Sequence, residues 1–333
     1  MGDPSIRSNT QRSDRSVRAI KLAEFADYRG TAEPLLPVLE VSSVQLQPGP
    51  ALTNMTIFSS DKVSILGVRH NAASVGVVII EPCCYSFMWW DGGEECRING
   101  ELARRSVLYA QGAQDGFHAT GGKRQTMGIA VRRTDFIETV AALRGVGPED
   151  VLLNRSALDL TAGAATRFRA GVDMLIRSAI GPGPGNPSGA GTVDPSEAIF
   201  GLLVDAYLHA PPRQLQENWA RPPEQIVRQA EERFFAAQGA PVSLADLCAA
   251  TGVSQSALYR AFRTVCDEPP LAYFRKRRFT AARRALIKSP AHRGGVKSAA
   301  IAAGLTELGR FAIEYRRLFG EAPSTTLNRV TQL

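Results

Sequence analysis

The sequence predicts an α+β chain of two domains. An N-terminal β-barrel with a helical dimerisation segment is followed by an all-α domain of two helix-turn-helix units joined by a long helix. Three observations predict this. Between Val41 and Arg133, short runs rich in Val, Ile, Thr and aromatic residues recur between Gly, Pro, Asn and Asp, the pattern of closely spaced strands in a sandwich or small barrel. The stretch from Ser243 to Arg263, SLADLCAATGVSQSALYRAFR, reads as helix, glycine turn, helix. Residues 221–333 hold 18 Lys+Arg against 9 Asp+Glu, a balance of +9, while the first 220 residues hold 21 against 23. The excess positive charge therefore sits in the segment that carries the turn, as in a phosphate-binding module tethered to a near-neutral partner.

At 333 residues, 44% hydrophobic and 21% charged, the chain is long enough for two globular cores. It has no run of about 18 apolar residues, so no membrane span is expected. The polar opening MGDPSIRSNTQRSDRSVRA lacks the apolar core of a signal peptide. Residues 1–16 are expected to be a disordered leader, Ile6 stands where myristoylation needs Ser or Thr, and a cytoplasmic location is expected. Cys83, Cys84, Cys96, Cys248 and Cys266 form no CxxC pair, which speaks against a disulfide framework or a zinc site. The adjacent Cys83 and Cys84 read as packing residues rather than a redox pair.

In chain order, a helix is expected around 17–28. Strands follow at 52–58, 63–68, 74–80, 85–90, 96–98, 106–110 and 126–131, with Asp91-Gly92 and Asn99-Gly100 as hairpin-turn dipeptides. Helical periodicity marks 135–143 and 158–180, the second long enough for a dimer contact. GPGPGNPSGAG at 181–191 has prolines where a phosphate loop needs N–H groups, and reads as a connector. A helix at 197–209 and the pairs Pro211-Pro212 and Pro222-Pro223 lead into the basic domain. The expected division is 17–180 sensor, 181–222 linker with one helix, and 223–329 basic domain.

Within that domain Ser243 and Asp246 have capping-box spacing, and Leu244, Leu247 and Ala250 make a buried face. Gly252 supplies the turn, Val253 plugs the angle, and Ser254 caps the second helix. In it Leu258 and Phe262 point inward and Ser256, Tyr259, Arg260 and Arg263 outward. By itself such a stretch fits either an ordinary helical hairpin or a DNA-reading helix-turn-helix. After Pro269-Pro270 a basic helix places Tyr273, Phe279, Ala282 and Leu286 inside, with Arg275, Lys276, Arg283 and Arg284 outside. Beyond the hinge SPAHRGG the plan repeats: Ala299, Ala300 and Ala303 in a small helix, Gly304 at the turn, Leu305 as plug, Thr306 as cap, then Phe311, Tyr315 and Phe319 inward and Gly320 ending the unit.

With these residues in hand, 223–329 resembles the DNA-binding domain of the AraC/XylS family of bacterial transcription regulators. Leu244, Leu247, Gly252, Val253, Ser254, Leu258, Phe262, Pro270, Tyr273, Arg278, Ala282 and Leu286 carry the likeness in the first part. Ala300, Gly304, Leu305, Phe311, Tyr315, Phe319, Gly320 and Pro323 carry it in the second. Leu305 and Tyr315 depart from the usual Phe, and Cys266-Asp267-Glu268 replaces a common glycine turn. The resemblance implies two recognition helices in successive major-groove segments of double-stranded DNA. Ser256, Tyr259 and Arg260 would face bases and Arg263 a phosphate. In the second unit Leu308, Gly309, Arg310, Ala312 and Ile313 would face out, with Arg310 as the one polar reader.

The β region resembles, at the level of fold, the cupin-like effector domains of such regulators, nearest to the ethanolamine-operon type. It holds His70 and His118 without a His-x-His pair, so no metal, cofactor or catalytic residue is expected. Trp89 and Trp90 point to opposite faces of one strand; the inward one, with Tyr85, Phe87 and His118, is the candidate lining of an effector pocket. The expected function is an effector-responsive transcription activator, with DNA and a small molecule as partners, RNA polymerase as a further one, and a homodimer as its form. A cupin-type metalloenzyme with a basic appendage and a nonspecific architectural DNA binder are the alternatives.

Overall fold

The computed structural model describes residues 18–22, 27–29, 38–60, 62–111, 116–153, 156–180, 195–211, 221–288 and 292–329. Thirteen strands are present among them: β1 Arg18–Leu22, β2 Asp27–Arg29, β3 Val38–Gln45, β4 Thr53–Ser59, β5 Val63–His70, β6 Ser74–Ile80, β7 Cys84–Gly93, β8 Cys96–Ile98, β9 Glu101–Leu102, β10 Val107–Gln111, β11 Phe117–Gly121, β12 Arg124–Arg132 and β13 Ala157–Asp159. They form two antiparallel sheets, one in the order β1-β4-β5-β12-β7-β10-β13 and the other β2-β3-β6-β11-β8-β9. Helices α1 Arg133–Arg144, α2 Ala162–Ile180 and α3 Pro195–His209 complete the N-terminal part.

The period of two along each strand sorts side chains into separate layers. On β7, Tyr85, Phe87 and Trp89 join α1, α2 and α3 in one core, while Cys84 and Met88 point between the sheets. On β6, Val78 and Ile80 face the other sheet, whereas Val75 and Val77 point away from it. The layers are thus helices, first sheet, sheet-to-sheet core, second sheet, and then the C-terminal helices, which use Val44, Val75 and Val77 as part of their own core.

The C-terminal helices are α4 Pro223–Ala236, α5 Leu244–Thr251, α6 Gln255–Cys266, α7 Pro270–Lys288, α8 Gly295–Ala302, α9 Leu308–Phe319 and α10 Pro323–Arg329. The α4–α6 unit and the start of α7 close on Leu247, Leu258, Phe262, Val265 and Tyr273. A second core gathers Phe279 and Leu286 of α7 with Ala300, Phe311, Tyr315 and Phe319.

Several expectations are corrected. The helix expected at 17–28 is replaced by β1 and β2; β1 pairs with β4, and a run that short carries no decisive period. Leu158 lies in β13, paired with Leu108 of β10, so α2 starts later than expected. Asp91-Gly92 sits inside β7 beside a register shift at Gln125/Thr126 and serves a bulge instead of a turn. Asn99-Gly100 does make a hairpin turn, with φ of 52° and 84°. The helix assigned to a linker, α3, is part of the core beneath the first sheet through Ile199, Leu203 and Val204. Of the cysteine pair only Cys84 is packed; Cys83 is exposed, and burial first, then Cys83, pushes the Cys84 thiol up to about 12. The leader at 1–16 and the connector at 181–191 lie outside the described residues.

Candidate nucleic-acid interface

The first helix-turn-helix is built by local chemistry. Ser243 Oγ accepts from Asp246 N at 3.1 Å, and the Asp246 carboxylate accepts from Ser243 N at 2.8 Å. These two bonds close a capping box on α5, which satisfies donors that a helix start leaves open. Hydrogen bonds from Ser243 are also the first cause of a lowered Asp246 pKa. Gly252 takes φ +65° at the turn, and Ser254 Oγ accepts from Ala257 N at 3.3 Å to start α6. Leu258, Ala261, Phe262 and Val265 are buried, so the helix presents its other face outward: Ser256, Arg260 and Arg263 are exposed and Tyr259 half-buried. Thr251 is buried where Ala250 was expected, because its hydroxyl donates to Leu247 O at 2.8 Å while Ala250 faces solvent.

The second unit has the same plan with weaker ends. Gly304 takes φ +74° at the turn. Thr306 is not the cap of α9: the capping position falls on Glu307, with no side-chain bond. Leu308 was expected outside but packs against the α7–α9 core. Gly309, Arg310, Ala312 and Ile313 are exposed as expected, Ile313 to 72%. Arg310 lies 3.0 Å from Glu307, one turn away on the surface, a pairing weak enough to exchange for a phosphate or a base. Arg316 and Arg317, also exposed on α9, were missed; as basic residues in the last turn of an amphipathic helix they were visible in the pattern.

Arg278 of α7 joins the two units. Its Nη1 donates to Gly239 O at 2.7 Å and Gly304 O at 2.9 Å, and its Nη2 to Ala240 O at 2.6 Å. One guanidinium thereby ties the loop before α5 to the turn before α9. Arg275 forms a two-pronged pair with Glu314 of α9, with Nη2 at 2.6 Å from Oε1 and Nε at 3.0 Å from Oε2.

The candidate effector residues are not brought together around a cavity. Tyr85, Phe87 and Trp89 lie on the helix-facing side of the first sheet, where Tyr85 meets Phe136 and Tyr207, and Trp89 meets Phe168 edge-on at 5.5 Å. Trp90 is the member that turns toward the sheet-to-sheet core, its indole N–H donating to Gly92 O at 2.8 Å. His118 faces the C-terminal helices and meets Glu231. Between the sheets, among the described residues, lie cavities of about 10 Å³ beside Thr53 and His70 and about 20 Å³ beside Ser86 and Phe117. Each has room for about one water. Among the described residues no group of three His, Cys, Asp or Glu could hold a metal ion, and no helix is long and apolar enough to cross a membrane.

Comparison with known proteins bears on the C-terminal helices. A family model described as a helix-turn-helix domain matches residues 247–329. The chain is 33% identical over 87 residues to XylDLEGF operon transcriptional activator 2 of Pseudomonas putida, covering 26% of this chain and 55% of that one. It is 32% identical over 132 residues to a probable thc operon regulatory protein of Rhodococcus erythropolis, covering 40% of this chain and 39% of that protein. Each match thus spans less than two thirds of the relative. Among solved structures, a probable AraC family transcriptional regulator from Rhodopseudomonas palustris is 36% identical over 32% of this chain and 97% of its own, with a TM-score of 0.28.

Proposed function

We infer, from a C-terminal region that matches a helix-turn-helix domain model over 247–329 and resembles a XylDLEGF operon transcriptional activator, that this chain is a sequence-specific transcription regulator of the AraC/XylS type. The observation that carries the reading is the pair of amphipathic helices, α6 and α9, each buried along one face and exposed along the other. A helix of this kind fits a major groove, and base-edge contacts there distinguish all four base pairs.

In this reading Arg260 makes a two-pronged contact to a guanine, with Ser256 and Tyr259 beside it, and Arg263 holds a phosphate. Arg310 reads from α9, Ala312 and Ile313 offer apolar contact to thymine methyl groups, and Arg316 and Arg317 add backbone contacts. The richer polar surface belongs to α6, so the first unit supplies most of the discrimination. Residues 223–329 act as the DNA reader and the preceding domain as sensor, in a homodimeric activator that engages RNA polymerase in the cytoplasm. The cavities found between the sheets among the described residues hold about one water each, so a small molecule seated there would need a rearrangement, and its effect would equal its differential affinity for the two arrangements.

Selection from a random duplex library, followed by titration of the enriched and scrambled duplexes at equal salt, tests this reading. Specific readers exceed their nonspecific affinity by about 10³-fold or more. A ratio near one would leave an architectural, charge-driven binder, whose affinity follows salt alone.

A further inference from the structure

Both recognition helices end on the sensor domain. The last carbonyls of a helix have no partner within it and must find one outside. Val265 O, one residue before the end of α6, accepts from Thr120 Oγ1 of β11 at 2.5 Å. Leu318 O, one residue before the end of α9, accepts from Gln45 Nε2 of β3 at 2.6 Å and from Gly49 N at 3.1 Å. Thr120 is 4% exposed and Gln45 7%, so both donors are buried side chains.

The two donors belong to one ladder. Gln45 pairs with Ser74 of β6, and Thr120 pairs with Val75 of the same strand from its other side. They therefore sit at nearly the same level across three hydrogen-bonded strands, about 10 Å apart at the usual strand spacing. The loop after β3 also engages the helix that joins the two units, since Lys276 Nζ donates to Leu46 O at 2.6 Å. The units' cores are separate clusters, bridged by α7 and by the Arg278 guanidinium between Gly239 and Gly304.

We propose that the β3–β6–β11 ladder sets the relative placement of the two recognition helices, with Thr120 and Gln45 as positioning residues, and so sets the half-site spacing the protein accepts. This rests on the DNA-reading assignment above, but it makes a claim about the protein alone that can be read without DNA. A sheet strand ladder bends far less readily than a single connecting helix hinged between two small cores. Losing these donors loosens the seating of the two helix ends on the ladder, while the apolar contacts of Val44, Val75 and Val77 and the Arg278 bridge remain.

The experiment uses the full chain with Thr120→Val, Gln45→Met and both together, and Thr120→Ser as the variant that keeps the donor. Spectroscopic labels carried by unnatural residues at positions 255 and 316 report the distance between α6 and α9. A single narrow distribution is expected for the unsubstituted chain and for Thr120→Ser, and a broadened one for Thr120→Val with Gln45→Met. Distributions in all four variants identical to that of the unsubstituted chain would overturn the proposal, whatever the DNA results.

The second readout titrates the duplex enriched from a random library against versions with one base pair added or removed between its half-sites. The unsubstituted chain should disfavour the altered spacings by about tenfold, and the double variant should lose most of that preference while still binding the original duplex. An unchanged spacing profile in a folded double variant would overturn it. Failure of the library to enrich any sequence would instead count against the DNA-reading assignment and leave the distance measurement to decide this one. Where a variant unfolds, the single substitutions and Thr120→Ser decide by the same distance measurement.

Discussion

His118 Nε2 lies 2.9 Å from Glu231 Oε2, and the two side chains are 4% and 5% exposed. One comes from β11 of the N-terminal sheets and the other from α4 of the C-terminal helices. The Glu231 carboxylate also accepts from Tyr273 Oη at 2.5 Å and Arg277 Nη2 at 2.7 Å, while Arg277 Nη1 reaches back to Ser42 Oγ at 2.9 Å. The two regions are therefore joined by a buried polar cluster centred on one carboxylate.

Burial raises the Glu231 pKa, but Arg277 and then His118 outweigh it and hold the carboxyl well below the usual range. A carboxyl whose pKa is lower folded than unfolded adds stability above its unfolded value near 4.3 and loses it as pH falls toward the folded one. Glu231→Gln should then cost about 3–5 kcal/mol at pH 7, since it strands the buried Arg277 charge. Denaturant titrations should show the gap between the two proteins narrowing as pH falls below about 4. A gap independent of pH down to 3 would mean that Glu231 is not the ionised centre of the cluster.

Arg260→Ala should weaken binding to the enriched duplex by roughly 1–3 kcal/mol and relax the preference at one base pair. Arg260 is exposed on α6, so the fold should be untouched, as a thermal melt would confirm. Titration on a panel of single-base variants separates the possibilities: an equal loss on every sequence assigns Arg260 to phosphate. Arg310→Ala should cost less, because α9 has fewer polar side chains to orient. Complete loss of specific binding by that variant would reverse the order of the two units.

The helix-turn-helix was legible because its signals are local. Ser243–Asp246, Gly252 and Ser254 act within one turn of where they stand, and the structure forms each as spacing alone dictates. The strands were legible by their period, but the layers were not. Alternation places Trp89 and Trp90 on opposite faces without saying which face meets helices and which meets the other sheet. That assignment depends on α2 and α3, more than sixty residues later in the chain. The same limit hid Thr120, Gln45 and Glu231, ordinary polar residues whose partners lie 113 to 273 positions away.

Trp89 offers a direct test of the layer assignment. It is 1% exposed and packs on Phe168 of α2, so Trp89→Ala should destabilise the N-terminal region by about 3–5 kcal/mol, the cost of emptying a large aromatic site. Urea denaturation would measure it. A cost below about 1 kcal/mol would instead place Trp89 beside open space.

The two turn glycines separate backbone strain from collision. Gly252 and Gly304 have nearly the same φ, +65° and +74°, but a Cβ on Gly252 would meet nothing within 4 Å. On Gly304 it would come within 1.7 Å of Arg278 Nη1 and 2.2 Å of Gly239 O. Gly252→Ala should therefore cost about 1–2 kcal/mol, the penalty of a left-handed L-residue. Gly304→Ala must in addition displace the guanidinium that bridges the two turns, leaving the carbonyls of Gly239 and Ala240 without it. Its cost should exceed that of Gly252→Ala by at least about 2 kcal/mol in denaturant titrations. Arg278→Ala supplies the control: with the guanidinium removed, the added cost of Gly304→Ala should shrink toward what the Gly239 contact alone imposes. Strictly additive effects of the two substitutions would show that Arg278 and Gly304 do not share one site.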